Sequence, residues 1–584
     1  MLLAAASEFP GWLRATHLLN IVFLALLVRS GFEILSSFPK LYWRDHCTPG
    51  TEWLRLTRRP LPQGRPWTAL EEEEAWSPWL ALPGGSKLGL GRHWHFATVL
   101  VWIATGAAYV ALLFASDEWR RLVPSSWSIA GGAWDTLLTY LSFEIPPRGD
   151  PYNPIQQLAY FGIVFLLSPL TIATGAAMSP AVAGRFPSYV RLFGGRQVAR
   201  SIHFLCLIGF VSFTAVHTVM VVVHGLPAGL AAVLLGSEDE SHGLGIALGA
   251  LALALVLVAN VLATVVSRAR PRTAQRALGA LIDPLQRSLS RRLVSRQAYA
   301  IADVSPYLRV NGRPPAGDDF LALAASGFRT WRLQVGGLVH QTLSLSLEEL
   351  RELGRQEQVT KHNCIQGWSG IAAWSGVPLA RVLDLCVPRP EARYVVVHAF
   401  DDKAQTGVGA EPREGLFYGA IDLELARQPQ SLLAYEFNGA PLPIERGAPL
   451  RQAGHASVEH LVRLLAARVG HAGALVRADP DGSVVVDRRE HCRSQLGVEG
   501  GSGGRQGAPE AVARLLVPHG GDLTRGAAAQ GGRRGARGPE AGQRRDGDRT
   551  DADADAEPAP PRRAGAERPQ QRVDRRVPVL GDRM

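Results

Sequence analysis

The sequence predicts an all-α N-terminal bundle of five membrane-spanning helices, followed by a soluble α+β domain and a disordered tail. The first observation is that five apolar stretches of spanning length fall within the first 270 residues. The second is a change after residue 300, where strand-like runs alternate with helical ones. The third is the composition of the last 90 residues, which are rich in Gly, Arg, Ala and Pro.

The apolar stretches set the domain boundaries. A stretch of about 20 apolar residues is the length that a helix needs to cross a bilayer. The fifth stretch is rich in small residues and has no histidine, so we expect it to be a packing helix. The stretches are roughly 15–36, 94–115, 154–178, 201–223 and 243–266. The predicted domains are a membrane domain (10–267), a linker (268–300), a soluble domain (301–455) and a tail (456–584).

The fourth stretch carries His203 and His217 inside its apolar run. Ionisable residues at membrane depth are costly, so they indicate function. Fourteen residues at about 100° each fall roughly 40° short of four turns, so both imidazoles share one helix face, roughly 21 Å apart. Such a pair suits two haem irons stacked across the membrane, because haem iron takes axial imidazoles. The alternative is a pair of histidines that are hydrogen-bonded within a helix bundle.

Two further histidines lie at matching depths. His95 lies near the start of the second stretch, on the side of His203, and His17 lies near the start of the first, on the side of His217. We therefore predict two haem b groups, one between His95 and His203 and one between His17 and His217. Two rivals lie close to these depths: His93 and His224.

The distribution of Lys and Arg predicts the orientation. The loops 37–92 and 179–200 hold eight and four of these residues, whereas 117–153 and 225–242 hold three and none. We therefore expect a multi-pass protein of the inner (cytoplasmic) membrane, with its soluble domain in the cytoplasm. The first loop also contains four consecutive glutamates, which weaken its contribution to this argument.

Several motifs in this half resemble the di-haem cytochrome b family that anchors formate dehydrogenases, nickel–iron hydrogenases and thiosulfate reductases. These motifs are RATHLLN, SSFPKLYW, GRHWHF and RSIHF, and the resemblance covers roughly residues 10–230. It implies that His17, His95, His203 and His217 bind haem, and that the protein exchanges electrons with a membrane quinone. A redox partner subunit is compatible with this resemblance.

The soluble domain is predicted from strand and helix signals. FRTWRLQVGGLV, YVVVHAFDD and SLLAYEFNGAPLP are typical of strands, and Ser346 with Glu349 forms a capping box before a helix. A second helix is expected after Pro378. The segment 268–300 is arginine-rich and amphipathic, which suits either a helix on an anionic membrane surface or a solvated linker.

Cys364 is the candidate for chemistry in this domain. It follows a polar strand, between Asn363 and a turn at Gly367. A thiolate at such a junction is typical of a soft metal ligand or a nucleophile, and an ordinary half-buried cysteine is the alternative. The five cysteines form no CxxC pair, which argues against a disulfide framework and an iron–sulfur cluster.

The order NCIQGWSG, GVPLARVL, LLAYEFNGAPLP and GAPLR resembles the molybdopterin domain of the sulfite oxidase family, above all its bacterial branch. The resemblance covers about residues 300–451 and implies a sulfite oxidase-like fold. It also implies that Cys364 binds molybdenum and that Asn363, Arg446 and Arg451 contact the molybdopterin. Relatives carry Asn or His at the position of Arg446.

The sequence departs from this family after Arg451. No lysine follows Lys403, and the Gly- and Lys-containing segment that holds the cofactor phosphate in relatives is missing. The soluble domain is therefore expected to be truncated, and the tail to be divergent and largely disordered. A frame change in GC-rich DNA would produce such a composition, and a genuine disordered tail is the alternative.

Together these features predict a membrane-bound oxidoreductase that passes electrons between quinone, two b haems and a molybdenum site. The small-molecule substrate is expected to resemble sulfite or an S-oxide. The alternative is a non-enzymatic electron carrier whose soluble domain has lost its cofactor and serves for docking. A transporter is disfavoured because no pair of helices is broken by Gly or Pro. Nucleic acid is not an expected partner, because much of the net charge of +10 comes from the tail.

Overall fold

The computed structural model of the 584-residue chain describes residues 9–453, apart from 63–66, 147–148, 150–151, 291–296, 311–313 and 403–415. A helical half is followed by a half rich in strands, as predicted. The predicted tail, residues 456–584, lies outside the described residues.

The helical half contains five segments that are long and apolar enough to cross a membrane, which confirms the predicted bundle. Its helices are α1 (Gly11–Ser36), α2 (Leu88–Ala115), α3 (Ile129–Leu141), α4 (Pro154–Phe161), α5 (Ser168–Ala177), α6 (Pro180–Arg185), α7 (Pro187–Leu192), α8 (Arg196–Val223), α9 (Leu226–Leu235), α10 (His242–Ala269) and α11 (Pro271–Ser290). The spanning segments are α1, α2, α4 with α5, α8 and α10. The chain is therefore a multi-pass membrane protein.

The third span is continuous but irregular. A π-helical segment, Gly162–Leu167, joins α4 to α5 at the point where Pro169 enters the helix. Proline cannot donate a backbone hydrogen bond, and its ring crowds the preceding turn, so a local change of helix type is expected there. The Ser168 hydroxyl donates to the Ile163 carbonyl at 2.8 Å, which satisfies a carbonyl within this segment.

The linker forms α11, which packs against α2 and α10. Ala274 and Ile282, two turns apart, are buried against the bundle, whereas Leu281 and Leu285 are about half exposed. One apolar stripe of α11 is therefore packed against the bundle, and a second apolar stripe is exposed. An exposed apolar stripe is more typical of a helix on a membrane surface, one of the two predicted alternatives, than of a fully solvated linker.

The second half is α+β, as predicted. It contains α12 (Asp318–Ala325), α13 (Leu347–Glu352), α14 (Leu379–Cys386) and α15 (Leu423–Ala426). The strands of the chain are β1 (Lys40–Leu41), β2 (Leu54–Arg55), β3 (Arg332–Val335), β4 (Leu343–Ser346), β5 (Gln356–Asn363), β6 (Ser369–Pro378), β7 (Tyr394–Asp402), β8 (Leu416–Asp422), β9 (Leu432–Phe437), β10 (Ala440–Pro441) and β11 (Arg451–Ala453).

The main sheet is antiparallel and has the strand order β10-β9-β6-β5, with β11 also paired to β9. The pairs β3–β4 and β7–β8 form separate hairpins. The predicted capping box is present, because the Ser346 hydroxyl accepts from the Glu349 amide at 3.2 Å. The turn between β9 and β10 uses Asn438 and Gly439, both at positive φ, as a two-residue hairpin requires.

The first loop, between α1 and α2, is part of the core of the second half. Phe38, Tyr42 and Cys47 from this loop are fully buried. They belong to the same apolar cluster as Cys364 and Trp368 of the soluble domain. The loop between the first two spans therefore connects the membrane bundle to the domain that carries the candidate cysteine.

The four consecutive glutamates of this loop, residues 71–74, are not all exposed to solvent. Glu72 is buried and forms ion pairs with Lys40 and with Arg309, which are also buried. Burial lowers the pKa of Lys40, and the charge of Glu72 opposes this shift. Since isolated buried charges are very costly, the three groups depend on one another. The cluster ties the first loop to the segment that leads into the soluble domain.

Replacing Glu72 with Gln is expected to lower the free energy of unfolding by about 3–5 kcal/mol, because two buried cations would lose their carboxylate. Chemical denaturation in detergent, followed by tryptophan fluorescence, measures this change. The control is Glu348→Gln, which removes an exposed pair with Arg351 and should change stability by less than about 1 kcal/mol. Equal stability of the two variants would contradict the role of the cluster.

Candidate metal centres

The four histidines proposed from the sequence lie in two pairs within the membrane bundle. The imidazole centroids of His95 and His203 are 6.3 Å apart, and those of His17 and His217 are 6.2 Å apart. Two imidazoles that each lie about 2 Å from a shared metal have centroids roughly 6 Å apart. The structure therefore brings together the same histidine pairs that were predicted from the directions of the helices. The spacing within each pair suits one axially bound iron.

Hydrogen bonds orient the pair nearest the soluble domain. The His203 Nδ1 lies 3.1 Å from the Thr171 carbonyl, which can only accept, so this nitrogen carries the proton. The His95 Nδ1 lies 3.1 Å from the Ser30 hydroxyl, which itself donates to the Leu27 carbonyl at 3.2 Å. Both rings therefore keep Nε2 free to bind a metal, which is how ligating histidines are usually held.

The second pair has a different environment. His217 stacks on Phe213, with centroids 5.6 Å apart and planes 11° apart, and the edge of Tyr160 lies nearby. The His17 Nδ1 is buried and has no hydrogen-bond partner among the described residues. This pair is therefore held more by ring packing than by polar contacts.

The two rival histidines lie outside these pairs. The His93 Nδ1 is 2.7 Å from the Gly89 carbonyl of its own helix. The His224 Nε2 is 2.8 Å from the Tyr140 hydroxyl, at the C-terminal end of α8. The geometry therefore favours His95 and His217 as the partners of His203 and His17.

Cys364 begins the five-residue turn that joins β5 to β6. The Cys364 amide donates to the Trp368 carbonyl at 3.0 Å, and the Gly367 amide donates to the Cys364 carbonyl at 3.1 Å. Gly367 has φ +122°, a conformation that side chains disfavour. Cys364 is 2% exposed, and its thiol lies 3.5 Å from the Gln366 Oε1. The turn thus holds Cys364 where the sequence placed it, at a strand-to-loop junction.

Two of the other predicted contacts, Asn363 of β5 and Arg451 of β11, lie on the main sheet, and Arg446 lies in the helical turn between β10 and β11. The Asn363 Oδ1 is buried and has no hydrogen-bond partner among the described residues. The Arg446 guanidinium lies 4.4 Å from the Phe437 ring centroid, and the Arg451 guanidinium lies 5.1 Å from that of Trp374. Burial is the main cause that lowers the pKa of Arg446. Both guanidinium groups therefore lie over aromatic rings of the apolar cluster that contains Cys364: Trp374 belongs to this cluster, and Phe437 packs against it.

Comparison with known proteins identifies both halves. Residues 8–235 match the family described as prokaryotic cytochrome b561, and residues 322–461 match the oxidoreductase molybdopterin binding domain. The chain joins a membrane cytochrome b to a molybdopterin-binding oxidoreductase domain. Below we call these the cytochrome b region and the molybdopterin domain, and the resemblances found in the sequence are confirmed.

Curated relatives match part of the chain. YedZ1 of Azospira oryzae, named as a protein-methionine-sulfoxide reductase subunit, is 35% identical over 122 residues, or 21% of this chain and 41% of YedZ1. The protein-methionine-sulfoxide reductase catalytic subunit MsrP of Xanthomonas axonopodis is 33% identical over 141 residues, which are 23% of this chain and 44% of MsrP. The chain thus covers less than half the length of either relative. The solved sulfane dehydrogenase SoxCD of Paracoccus pantotrophus aligns over 22% of this chain and 36% of its own, with 20% identity and a TM-score of 0.18, too low to carry an argument.

The histidine pairs fit haem b, which the cytochrome b region implies. No cluster of three or more His, Cys, Asp and Glu side chains that could hold a metal ion occurs in the described parts of the chain. A two-imidazole site therefore suits haem, whose ring supplies the remaining iron ligands. Gly31 and Gly175 lie beside the rings, where a Cβ would be 3.9 Å from His95 and 3.5 Å from His203, ordinary contact distances.

The donor set at the turn fits molybdopterin, which the second family implies. Cys364 offers a soft thiolate, the ligand type that heavier metals prefer. Asn363 offers a buried carbonyl oxygen that can accept hydrogen bonds from an incoming group. Arg446 and Arg451 offer guanidinium groups of the kind that bind phosphate. These residues would hold the cofactor, with Cys364 at its metal.

The structure also shows contacts that sequence reasoning missed. The Gln366 Oε1 approaches the Cys364 thiol, and its Nε2 donates to the Glu73 carboxylate of the first loop at 2.7 Å. Burial raises the pKa of Glu73, although the bond from Gln366 opposes this shift. Gln366 therefore connects the Glu73 carboxylate to the Cys364 thiol. No pattern in the sequence links this glutamate to Gln366.

Proposed function

We propose that the protein is a quinone-linked oxidoreductase in which two b haems carry electrons between the membrane and a molybdenum site at Cys364. His95 with His203, and His17 with His217, are the proposed haem ligands. Molybdopterin supplies two-electron oxygen-atom chemistry when bound. The residues of the chain hold the metals, exclude water from the thiol and keep the centres at fixed distances.

One observation carries this proposal. The helices α2 and α8, which supply His95 and His203, begin at the face of the soluble half where the Cys364 turn lies, and Arg196 of α8 contacts that turn. The nearer histidine pair is therefore adjacent to the molybdopterin domain, and the second pair, His17 of α1 and His217 of α8, lies further along α8. A series of centres in this order suits electron transfer from one side of the membrane to the other.

The proposed substrate is a small S-oxide or sulfite-like molecule. Support comes from the relatives named as protein-methionine-sulfoxide reductase, which are 33–35% identical over less than half of their length. Reduction of an S-oxide takes two electrons and two protons and releases water and a sulfide. Oxidation of sulfite runs the other way, uses water and releases two electrons and two protons. The two substrates therefore differ in the direction of electron flow.

The proposed location is the inner membrane, with the molybdopterin domain in the cytoplasm. Support comes from the basic loops on the side of the nearer histidine pair, which is also the side of the soluble half. An alkaline phosphatase fused after residue 290 should be inactive, because this enzyme folds only in the oxidising periplasm. An active fusion would contradict this orientation and place the molybdopterin domain in the periplasm.

The direct test uses the absorbance of the haems. Purified protein in detergent is reduced without oxygen and mixed with methionine sulfoxide, and oxidised protein is mixed with sulfite. We expect one of the two to change the haem spectrum, either by oxidation or by reduction. Protein from a host that cannot make molybdopterin is the matched control, and it should not respond. An equal response of both samples would contradict the proposal.

A second candidate function is a haem b electron carrier whose soluble half serves only for docking. The observation that favours it is the burial of Cys364, which is 2% exposed within a packed cluster. This candidate predicts that quinol still reduces both haems and that neither substrate changes their spectrum. The same experiment therefore separates the two candidates.

A further inference from the structure

The N-terminal turn of α8 inserts into the soluble half at the Cys364 turn. Arg196, 7% exposed, donates to the carbonyls of Cys364, Gly367 and Trp368 at 3.2, 3.1 and 3.0 Å. Its remaining bond in the described part of the chain goes to the Met178 carbonyl at 3.3 Å. A buried guanidinium is costly unless its donors are used, so this position is strongly defined.

Neighbouring side chains extend the same contact. The Gln197 Nε2 donates to the Gly367 carbonyl at 2.8 Å and to the Ser369 hydroxyl at 2.9 Å. From α2, Arg92 donates to the Ile365 carbonyl at 3.4 Å, three residues before His95. Both helices that carry the nearer histidine pair are therefore bonded to the turn that begins with Cys364.

Helix geometry relates this contact to the proposed haem site. Arg196 and His203 are seven residues apart, which is about 20° short of two turns and roughly 10 Å along the axis. They therefore share one face of α8. One connected route from His203 to Cys364 runs along two turns of this helix and across the hydrogen bonds of Arg196.

We propose that Arg196 is a positioning residue that fixes the Cys364 turn against α8, so that electrons pass between the haem at His95–His203 and the Cys364 centre across a rigid interface. No movement of the soluble half is then needed in each turnover. This inference rests on the proposed function and adds to it the residue that sets the distance between the centres.

The test compares three variants of the full chain in detergent. Arg196→Ala removes the contact, and Arg196→Lys keeps the charge but not the guanidinium fork. Arg191→Ala is the matched control, because this exposed arginine of α7 donates to the Ser188 hydroxyl at 3.0 Å, away from the bonds of Arg196. The first readout is amide hydrogen exchange of residues 363–370. The second is the rate at which methionine sulfoxide oxidises, or sulfite reduces, the haems.

We expect Arg196→Ala to speed exchange in the turn by about tenfold or more, since several charge-assisted hydrogen bonds are lost. It should slow electron transfer by a similar factor while iron content, molybdenum content and the haem spectrum stay at the level of the unmodified protein. Arg196→Lys should show a smaller rise in exchange and a smaller loss of electron-transfer rate than Arg196→Ala. Arg191→Ala should show neither change.

Faster exchange with unchanged electron transfer would overturn the inference, because Arg196 would then be only structural. Unchanged exchange would overturn it as well. If Arg196→Ala fails to fold, the same two readouts are taken on Gln197→Ala. This variant removes one bond to the turn and one to the adjacent Ser369, and it leaves the charge of Arg196 in place. If the unmodified protein transfers no electrons, the proposed function fails and the electron-transfer role falls with it, while exchange still shows whether Arg196 holds the turn.

Discussion

Replacing His203 with alanine is expected to remove one of the two proposed haems and halve the iron content of the purified protein. A haem iron that loses one axial imidazole from a buried pair is left with an apolar methyl group on that side. The His95 ring lies 6.3 Å from that of His203 and would be left as the one proposed ligand of this haem. Iron analysis and the pyridine-haemochrome spectrum measure the change.

The control is His93→Ala, on the same helix as His95. Its ring is 2.7 Å from the Gly89 carbonyl and takes no part in either pair, so both haems should be retained. A full haem complement in His203→Ala would refute the pairing. Loss of a haem in His93→Ala would show that the rival ligand had been rejected wrongly.

Replacing Cys364 with serine is expected to abolish turnover while leaving the haem spectrum unchanged. A serine hydroxyl matches the thiol in shape, but it is a poor ligand for a metal that prefers a soft thiolate. Cys364 is 2% exposed, and its bond to Gln366 is one that a hydroxyl can also make. The loss should therefore reflect chemistry and not unfolding. Substrate-dependent change of haem absorbance is the measurement.

Cys386→Ser is the matched control for this variant. Cys386 is also fully buried, but it lies on α14 in the other apolar cluster, where its thiol is 3.5 Å from the Leu383 carbonyl. It should cost some stability and leave substrate-dependent electron transfer in place. Normal turnover in Cys364→Ser would show that this thiol is not the metal ligand.

The membrane half could be predicted in detail because helix geometry is regular. The spacing of His203 and His217 fixes a face and two depths, and the order of the spans then pairs them with His95 and His17. The structure places these rings 6.2 and 6.3 Å apart within each pair. The capping box of Ser346 was also readable, because its two partners are close in sequence.

The interface between the halves was not readable from sequence. Arg196 is hydrogen-bonded to Cys364, 168 residues away in the sequence, and Arg309 is hydrogen-bonded to Glu72, 237 residues away. No local period or motif links residues so far apart, and a run of glutamates has the same composition whether it is solvated or buried. The sequence therefore predicted Cys364 and the turn that follows it, but not the side chains that hold this turn.

The central claim is that one chain carries two haems and a molybdenum centre. Its most direct test is the iron and molybdenum content per chain of protein purified in detergent from a host that makes molybdopterin. We expect two iron atoms and one molybdenum atom. Two iron atoms without molybdenum would contradict the enzyme and favour the electron carrier, and fewer than two iron atoms would contradict the pairing of the histidines.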